Sequence, residues 1–381
     1  MLKNNSKSIK LLALSALLND LGSDAIKPFW PFFVTSIIGA PATILGILDG
    51  FGEAISYGIR WPAGWFSDKY KKRKILVWLG YLLAGISRIG YSISSNVSQL
   101  FLFKAMDRMG KLRDPPRDAL LSSYINKKER GKAFGILTAA DNFGAMLAPL
   151  FGLLVFSILS YRGLFFVAAF PSLVGSILIL YFIKEKNKKL KNIKKVKVKL
   201  TGNFKRFVFS TIIFALSWIS ISFAILYSNE KGIDTIYTPF LLFVYSGGAV
   251  IGSYVFGKLS DNIGRKNSLF LSYLLHIITL FAFFSIYEIS VSYFIFLILF
   301  AICGVVFGSI TTLQSAFVID LIKKERRAEA SGIFSTFFGI SSFFASSLAG
   351  LFWDLFSPQI TFGIAGFFGF LGLILFSLLV K

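Results

Sequence analysis

Long apolar runs separated by short polar connections make up almost the whole chain. Each run is close to the ~20 residues that a helix needs to cross a bilayer. The twelve runs lie at about residues 10–35, 42–66, 75–94, 97–118, 131–158, 163–183, 207–228, 237–257, 268–287, 290–313, 329–352 and 359–380. The pattern predicts an all-α integral membrane protein with twelve transmembrane helices.

Composition agrees with this prediction. Hydrophobic residues form 55% of the chain and charged residues 16%, whereas a soluble domain carries about 25% charged residues. The single cysteine, Cys303, cannot form an intramolecular disulfide, and with one histidine there is no plausible zinc-ligand set. We therefore expect no metal, no cofactor and no catalytic residue.

The basic residues are distributed very unevenly among the connections. Alternate connections hold 35 of the 41 lysines and arginines, and the opposite set holds only Arg162 and Lys231. By the positive-inside rule, the basic set and both termini are cytoplasmic, which requires an even number of spans. This bias explains the net charge of +22 without a nucleic-acid partner, since no aromatic residues interleave the basic runs.

A basic linker divides the spans six and six. Residues 184–206 contain eleven basic residues and one acidic residue. The predicted domains are a six-helix bundle at 1–183, the cytoplasmic linker at 184–206 and a second six-helix bundle at 207–381. The linker is interpreted as a solvated tether, with contact to anionic headgroups as the alternative.

One loop signature occurs twice, 193 residues apart. The first copy runs from Gly64 to Arg73 and the second from Gly257 to Lys266, and each joins two apolar runs. Recurrence at half the chain length indicates a duplicated membrane fold.

These features resemble the major facilitator superfamily (MFS) of transporters, whose loop signature is Gly-x-x-x-Asp-Arg/Lys-x-Gly-Arg-Arg/Lys. The first copy has Lys71 where the signature has glycine, and the second has Asn262 at the first basic position. The resemblance implies that the copies form a cytoplasmic gate, whereas the alternative is that they only anchor topology. The gate residues so identified are Gly64, Asp68, Lys69, Lys72, Arg73, Gly257, Asp261, Gly264, Arg265 and Lys266.

Two further stretches resemble prokaryotic multidrug-efflux members. The segment Lys104–Leu120 is similar to their Gly-Lys-Gly-x-Arg-x-x-Pro-Arg-Asp-Ala-Leu pattern, which adds Arg113, Arg117 and Asp118 to the gate residues. The run Gly144–Gly152 is close to the Gly-x-x-x-Gly-Pro element of antiporters, with Ala148 replacing the second glycine. Gly144, Pro149 and Gly152 would bend this span, or serve only close helix packing.

Ionisable residues inside the spans concentrate in the first half. Such residues are costly in a bilayer and usually face a cavity or each other. Asp20, Glu53 and Asp141 are the candidates for proton coupling, because none has an opposite charge three or four residues away. The alternative is a set of buried ion pairs, such as Asp24 with Lys27, Glu53 with Arg60, and Asp107 with Arg88 or Lys104. The charge-network candidates are Asp24, Lys27, Asp49, Arg60, Arg88, Lys104, Asp107, Arg108 and His276.

The resemblance and the embedded carboxylates together predict a secondary transporter that exports a small amphipathic molecule by alternating access, coupled to protons. The alternatives are a uniporter or proton symporter of a specific metabolite and, more remotely, an intramembrane prenyltransferase-like enzyme suggested by Asn19, Asp20 and Asp24. We expect a monomer in the cell (plasma) membrane whose partners are the substrate, protons and lipid, with the proton gradient as its energy source.

Overall fold

The computed structural model describes residues 2–125, 130–185, 202–286, 291–322 and 327–380, except for the side chains of residues 2–6, 68, 130 and 327–329. In this part of the chain the regular elements are helices. The helices up to residue 182 are α1 (Leu2–Ala25), α2 (Trp30–Phe32) with a π-helical turn (Phe33–Ile37), α3 (Ala42–Tyr70), α4 (Arg73–Ile93), α5 (Val97–Met109), a 3-10 turn (Gly110–Arg113), α6 (Asp114–Tyr124) and α7 (Arg130–Phe182).

The later helices begin after the linker. They are α8 (Gly202–Ala215), α9 (Ile221–Glu230), a 3-10 turn (Thr235–Tyr237), α10 (Thr238–Ile263), α11 (Arg265–Phe284), α12 (Tyr293–Asp320), α13 (Arg327–Leu355) and α14 (Pro358–Leu379). From α10 onward, each helix matches one predicted apolar run to within several residues.

Seven helical segments in the described part of the chain are long and apolar enough to cross a membrane. They are Arg73–Ile93, Gly131–Phe182, Thr235–Ile263, Arg265–Phe284, Tyr293–Asp320, Ala330–Leu355 and Pro358–Leu379. The second is broken at Ser160, whose φ of 57° and ψ of −166° are not helical, and each part is long enough to span. The total of twelve spans stays a prediction.

Three predicted spans are interrupted. Helix α1 ends at Ala25 and helical structure resumes at Trp30, with Pro28, which has no backbone N–H, between them. In the seventh span, α8 ends at Ala215, and α9 begins after Ser220, whose hydroxyl accepts a hydrogen bond from the Ser222 N–H at 3.2 Å. The fourth passes through the 3-10 turn Gly110–Arg113. Apolar periodicity alone did not reveal these breaks.

Contacts divide the chain into two compact units. The first comprises Met1–Phe29 and Ile55–Lys195, and the second comprises Trp30–Ala54 and Val196–Lys381. The boundary between Ala54 and Ile55 falls inside α3, so this helix belongs to both units. The predicted domains follow chain order instead, with residues 30–54 in the first bundle.

Within the first unit, α1 and α4 both pack against α7. A buried cluster joins these helices to α6; it includes Leu12, Val77, Tyr81, Leu120 and Ile179. Burying these apolar side chains fixes the helices that carry the charged residues described below.

Within the second unit, α10 and α12 approach each other at glycines from both helices. A Cβ atom on Gly252 would lie 2.2 Å from the Val305 carbonyl oxygen, and one on Gly308 would lie 1.9 Å from that of Ala249. Stacked rings fill the remaining core, with the centroids of Phe214 and Tyr273 3.7 Å apart. The helix contacts described here for the second unit are thus made by small residues and aromatic rings, whereas charged side chains also join helices in the first unit.

Candidate functional site

An arginine and an aspartate form a two-point ion pair inside the first unit. Arg117 on α6 donates from Nη1 to Oδ1 and from Nη2 to Oδ2 of Asp141 on α7, both at 3.1 Å. Their side chains are only 12% and 23% exposed. Such a parallel pair of charge-assisted bonds fixes both groups and is stronger than a single contact.

Four more charged side chains continue this cluster. Arg113, which is buried, lies 3.9 Å from Asp20 on α1 and 3.8 Å from Asp114. Arg60 on α3 lies 3.6 Å from the same Asp114. The Arg113 guanidinium also stands 4.8 Å from the Tyr81 ring centroid, within cation–π range. These residues, with Arg117 and Asp141, form what we call the charge ladder.

The structure therefore supplies partners that sequence spacing did not. Asp20 and Asp141 have opposite charges nearby, but on other helices. Arg60, expected beside Glu53, pairs with Asp114, because the turn Gly110–Arg113 brings the start of α6 back to α3. Glu53 itself lies half-buried in α3, one residue before the boundary between the units.

Two other predicted pairs can be compared with the structure. Asp24 and Lys27 form the expected ion pair at 2.9 Å. Asp107 lies 3.6 Å from Arg108. Lys104, expected as a partner of Asp107, is buried in α5 at 4% exposure.

Arg88 is the largest fully buried side chain of the described residues. Its Nη1 donates to the Ala168 carbonyl at 3.1 Å and also to the Ser172 hydroxyl. Ser172 in turn donates to Asn19 on α1 at 2.9 Å. This network joins α1, α4 and α7 through polar contacts in the middle of the first unit.

Asp49 is placed differently from the other embedded charges. It belongs to the second unit, is 8% exposed and accepts three hydrogen bonds. The donors are Trp30 Nε1 at 2.9 Å, the Ser220 hydroxyl at 2.7 Å and the Ser222 hydroxyl at 2.6 Å. Three neutral donors thus hold this carboxylate in place.

The two loop copies share a backbone feature. Lys71 has a φ of 55° and Gly264 a φ of 83°, both in the left-handed region that favours glycine. After each turn an arginine reaches a carbonyl on a neighbouring helix. Arg73 Nη1 donates to Ala119 at 3.4 Å, and Arg265 Nη1 donates to Ala316 at 2.9 Å.

The remaining gate residues are peripheral in their own units. Arg265 also pairs with Asp320, whereas Lys72, Asp118 and Asp261 are exposed. Lys69 lies 4.5 Å from the Trp65 ring centroid. Gly64, Gly257 and Lys266 are half-buried. The side chain of Asp68 lies outside the described part, so its predicted gate role stays a prediction.

The single acidic residue of the basic linker lies beside the first loop copy. Glu185 Oε1 accepts from the Arg73 N–H at 2.5 Å, which caps the start of α4. The Tyr124 hydroxyl donates to the neighbouring Lys184 carbonyl. Burial and the Glu185 carboxylate raise the pKa of Tyr124 to about 12, so its phenol stays a donor at neutral pH.

The glycines of the fifth span serve close packing. A Cβ on Gly144 would lie 2.4 Å from the Leu17 carbonyl oxygen, and one on Gly152 would lie 2.3 Å from that of Ala25. Pro149 lies between them, and Ala148 is fully buried. These glycines therefore lie in close contact with α1, and both the bend and the antiporter role of this element stay predictions.

His276 borders the interruption of the seventh span. Its Nε2 lies 3.3 Å from the Ser217 carbonyl oxygen and 3.2 Å from the Ser217 hydroxyl. The ring centroid of Trp218 lies 5.3 Å from that of His276 and 5.9 Å from that of Phe307. Phe338 also packs against Trp218, at 5.9 Å. Sequence reasoning missed Trp218, because nothing marked residues 216–220 as a break.

A duplicated loop, embedded charges and long apolar helices together define a multi-pass membrane transporter. The profile of the Major Facilitator Superfamily matches residues 12–208 and again residues 207–381. The chain belongs to this superfamily, so it is a transporter and not an enzyme. Among its described residues, no group of three or more His, Cys, Asp or Glu side chains could hold a metal.

Several relatives and solved structures are similar. The uncharacterized MFS-type transporter MJ1317 of Methanocaldococcus jannaschii is 35% identical, covering 94% of this chain and 91% of that protein. Multidrug resistance protein 1 of Bacillus subtilis is 26% identical over 60% of this chain and 62% of its own length. The nucleoside transporter NupG has a TM-score of 0.85 at 13% identity, covering 98% of this chain and 100% of that one. This last likeness concerns the fold alone.

Proposed function

We propose that the protein exports small amphipathic molecules by alternating access, in exchange for protons. The observation that carries the proposal is the two-point contact of Arg117 with Asp141 inside the first unit. A carboxylate embedded in a span is costly unless it serves a pathway or a pair. This one is paired with an arginine that resembles a motif residue of efflux proteins.

The chemistry is a competition for one carboxylate. A proton on Asp141 removes its charge, so the two charge-assisted bonds from Arg117 weaken and the guanidinium is released. Asp20 and Asp114 stand along the charge ladder as alternative acceptors for the arginines. Proton entry thereby changes which carboxylates the arginines bind, and so which helices they hold together.

The second unit supplies the surface for an apolar cargo. Trp218 is half-buried, and Phe307 is 40% exposed beside it. Aromatic faces bind flat apolar groups without demanding a particular hydrogen-bond pattern. The multidrug resistance names of some relatives also favour efflux over uptake of one metabolite.

The remaining topology is part of the same proposal. The basic connections face the cytoplasm, which places both termini there and requires an even number of spans, namely twelve. The two loop copies act as the cytoplasmic gate. The protein would work as a monomer in the plasma membrane.

The proposal can be tested with purified protein in lipid nanodiscs and a pH-sensitive dye. Tetraphenylphosphonium, an amphipathic cation, is added as the probe at low buffer strength. We expect proton release from the parent and loss of most of this release in Asp141→Asn. The matched control is Asp234→Asn, which removes an exposed carboxylate outside the charge ladder and the gate and leaves the release unchanged.

Two further variants test whether the other carboxylates predicted from the sequence contribute to proton coupling. Asp20→Asn and Glu53→Gln each remove one embedded carboxylate. Parent-like release from Asp20→Asn, Glu53→Gln and Asp141→Asn together would rule out the assignment. Export of the probe from proteoliposomes that ignores a proton ionophore would instead favour uniport, and a probe flux in the direction of the protons would favour symport.

A further inference from the structure

The segment Trp30–Ala54, which we call the strap, belongs to the second unit and is held to the later helices at two points. At the start of α3, Asp354 on α13 accepts hydrogen bonds from the backbone N–H groups of Ala42 and Thr43, at 3.2 and 2.7 Å. The same carboxylate accepts from the Thr43 hydroxyl at 2.7 Å. A remote aspartate thus satisfies two of the N–H groups that a helix start leaves open.

Further along α3, the strap lies directly on the backbone of α13. A Cβ on Gly46 would lie 2.1 Å from the Ser346 carbonyl oxygen, and one on Gly50 would lie 2.7 Å from that of Phe343. Because the two glycines are four residues apart, they share one face of α3. Asp49 stands beside this face and contacts α9 instead.

The contact with α9 depends on one carboxylate. Asp49 Oδ2 accepts from the hydroxyls of Ser220 and Ser222, while Oδ1 accepts from Trp30 within the strap. Ser220 is also the N-cap of α9, so the carboxylate faces the positive end of that helix. Because of the interruption at 216–220, this helix start lies inside the predicted seventh span and not at its end.

This contact is chemically suited to reversible release. A serine hydroxyl that loses a partner can rotate and donate to a carbonyl of its own helix, as Ser228 does to Ile225 at 2.7 Å. A carboxylate that becomes exposed is hydrated by water. Neither side is left unsatisfied, so breaking the contact costs much less than breaking a buried ion pair.

We propose that Asp49 is a positioning residue for transport: it fastens the strap to the start of α9, and its release during transport admits water to this contact. Asp49 precedes Lys69 by twenty residues of one helix, which is about 30 Å. Because α3 continues past Ala54 to Tyr70, the helix that carries Asp49 also carries the beginning of the first loop copy. The inference requires transport by the superfamily fold, but neither proton coupling nor a particular substrate.

The test measures how readily water reaches the contact. In full-length protein with Cys303→Ser, Ala224→Cys places one thiol on α9 at a position that is 4% exposed. The rate of labelling by a membrane-impermeant maleimide is followed in nanodiscs without any substrate. Removing hydrogen bonds to a charged group shifts an opening equilibrium by about tenfold or more. We therefore expect about tenfold faster labelling in Asp49→Asn and in the double variant Ser220→Ala, Ser222→Ala.

Two controls separate release from general loosening. Ser228→Ala removes a fully buried hydroxyl of the same helix that bonds only to Ile225 in the contacts given above. The double variant Ser220→Thr, Ser222→Thr keeps both hydroxyls. Both should label at the parent rate. If Asp49→Asn does not fold, the two serine pairs decide the result.

The inference is overturned by either of two results. One is parent-like labelling of the Ser220→Ala, Ser222→Ala protein, with Asp49→Asn agreeing where it folds. The other is equal acceleration in Ser228→Ala, which would indicate that any lost hydroxyl loosens α9. A failure of proton release in the functional test leaves this labelling result unaffected, so the two proposals can fail separately.

Discussion

Lys71 has a positive φ, as does Gly264 at the matching position of the second loop copy. A lysine has a Cβ that crowds its own carbonyl there, whereas glycine has none. The glycine of the loop signature is thus explained by the turn between two helices. The first copy has a positive φ at the same position but carries lysine there, although glycine suits a positive φ better.

Exchanging residues at this turn should change stability in a predictable direction. Lys71→Gly should raise the free energy of unfolding by about 1 kcal/mol, and Gly264→Ala should lower it by a similar amount. A Cβ at Gly264 meets no atom within 4 Å, so conformation alone accounts for the loss. The midpoint of thermal unfolding in detergent is the measurement.

Gly257 provides the matched control for this exchange. It lies in the same loop copy, a Cβ there also meets no atom within 4 Å, and it is helical. Gly257→Ala should therefore raise the midpoint, because alanine favours a helix by about 1 kcal/mol. A fall of the midpoint in both Gly257→Ala and Gly264→Ala would refute the conformational explanation.

The pairing of Arg117 with Asp141 predicts a non-additive double variant. Arg117→Gln and Asp141→Asn should each destabilise the protein, because each leaves a half-buried charge without its partner. The double variant should be more stable than the sum of the single effects, by about 1–3 kcal/mol. Unfolding midpoints of all four proteins give this coupling energy, and additive losses would contradict the pairing.

Close packing of α10 and α12 predicts a sharp difference between two glycines. Gly308→Ala should lower the thermal midpoint and the yield of monodisperse protein, because the new Cβ would lie 1.9 Å from the Ala249 carbonyl oxygen. Overpacking of this kind costs about 1–3 kcal/mol. Gly247→Ala on α10, where nothing lies within 4 Å, should be tolerated. Equal losses at the two positions would argue against the close approach.

The raised pKa of Tyr124 predicts loss of stability at high pH. The folded protein favours the neutral phenol, so this contribution is complete below the ordinary value of about 10. It is lost as the pH rises towards the folded value of about 12, where the unfolded chain has already released the proton. Tyr124→Phe should show a smaller decrease in thermal midpoint between pH 9 and 11 than the parent. Identical decreases would contradict this.

Much of the fold was predictable because the bilayer demands long apolar helices. The predicted run at 359–380 corresponds to Pro358–Leu379, and the run at 75–94 to Arg73–Ile93. The interruption at 216–220 was not predictable, because it contains neither glycine nor proline and its two serines are common within apolar helices. The Ser217 carbonyl contacts His276, which only the tertiary structure brings near, and the Ser220 carbonyl accepts from the Phe223 N–H of α9.

In the candidate site too, the sequence revealed contacts within one helix but not contacts between helices. Spacing along one helix found Asp24 with Lys27, since residues three apart are neighbours on a helix surface. It could not find Arg117 with Asp141, which depends on how α6 packs beside α7. It also grouped Asp49 with the first-half charges, although three neutral donors hold it in the second unit.

The hydrogen bond from Thr43 to Asp354 joins residues that are 311 positions apart in the chain. At about 5–20 residues per second, a ribosome needs roughly 15–60 s to make the intervening chain. During that time the start of α3 has no permanent partner, and its glycine face is open to other helices in the bilayer. Most of the time of synthesis is therefore the interval in which misassembly or chaperone capture of a nascent chain would act on this protein.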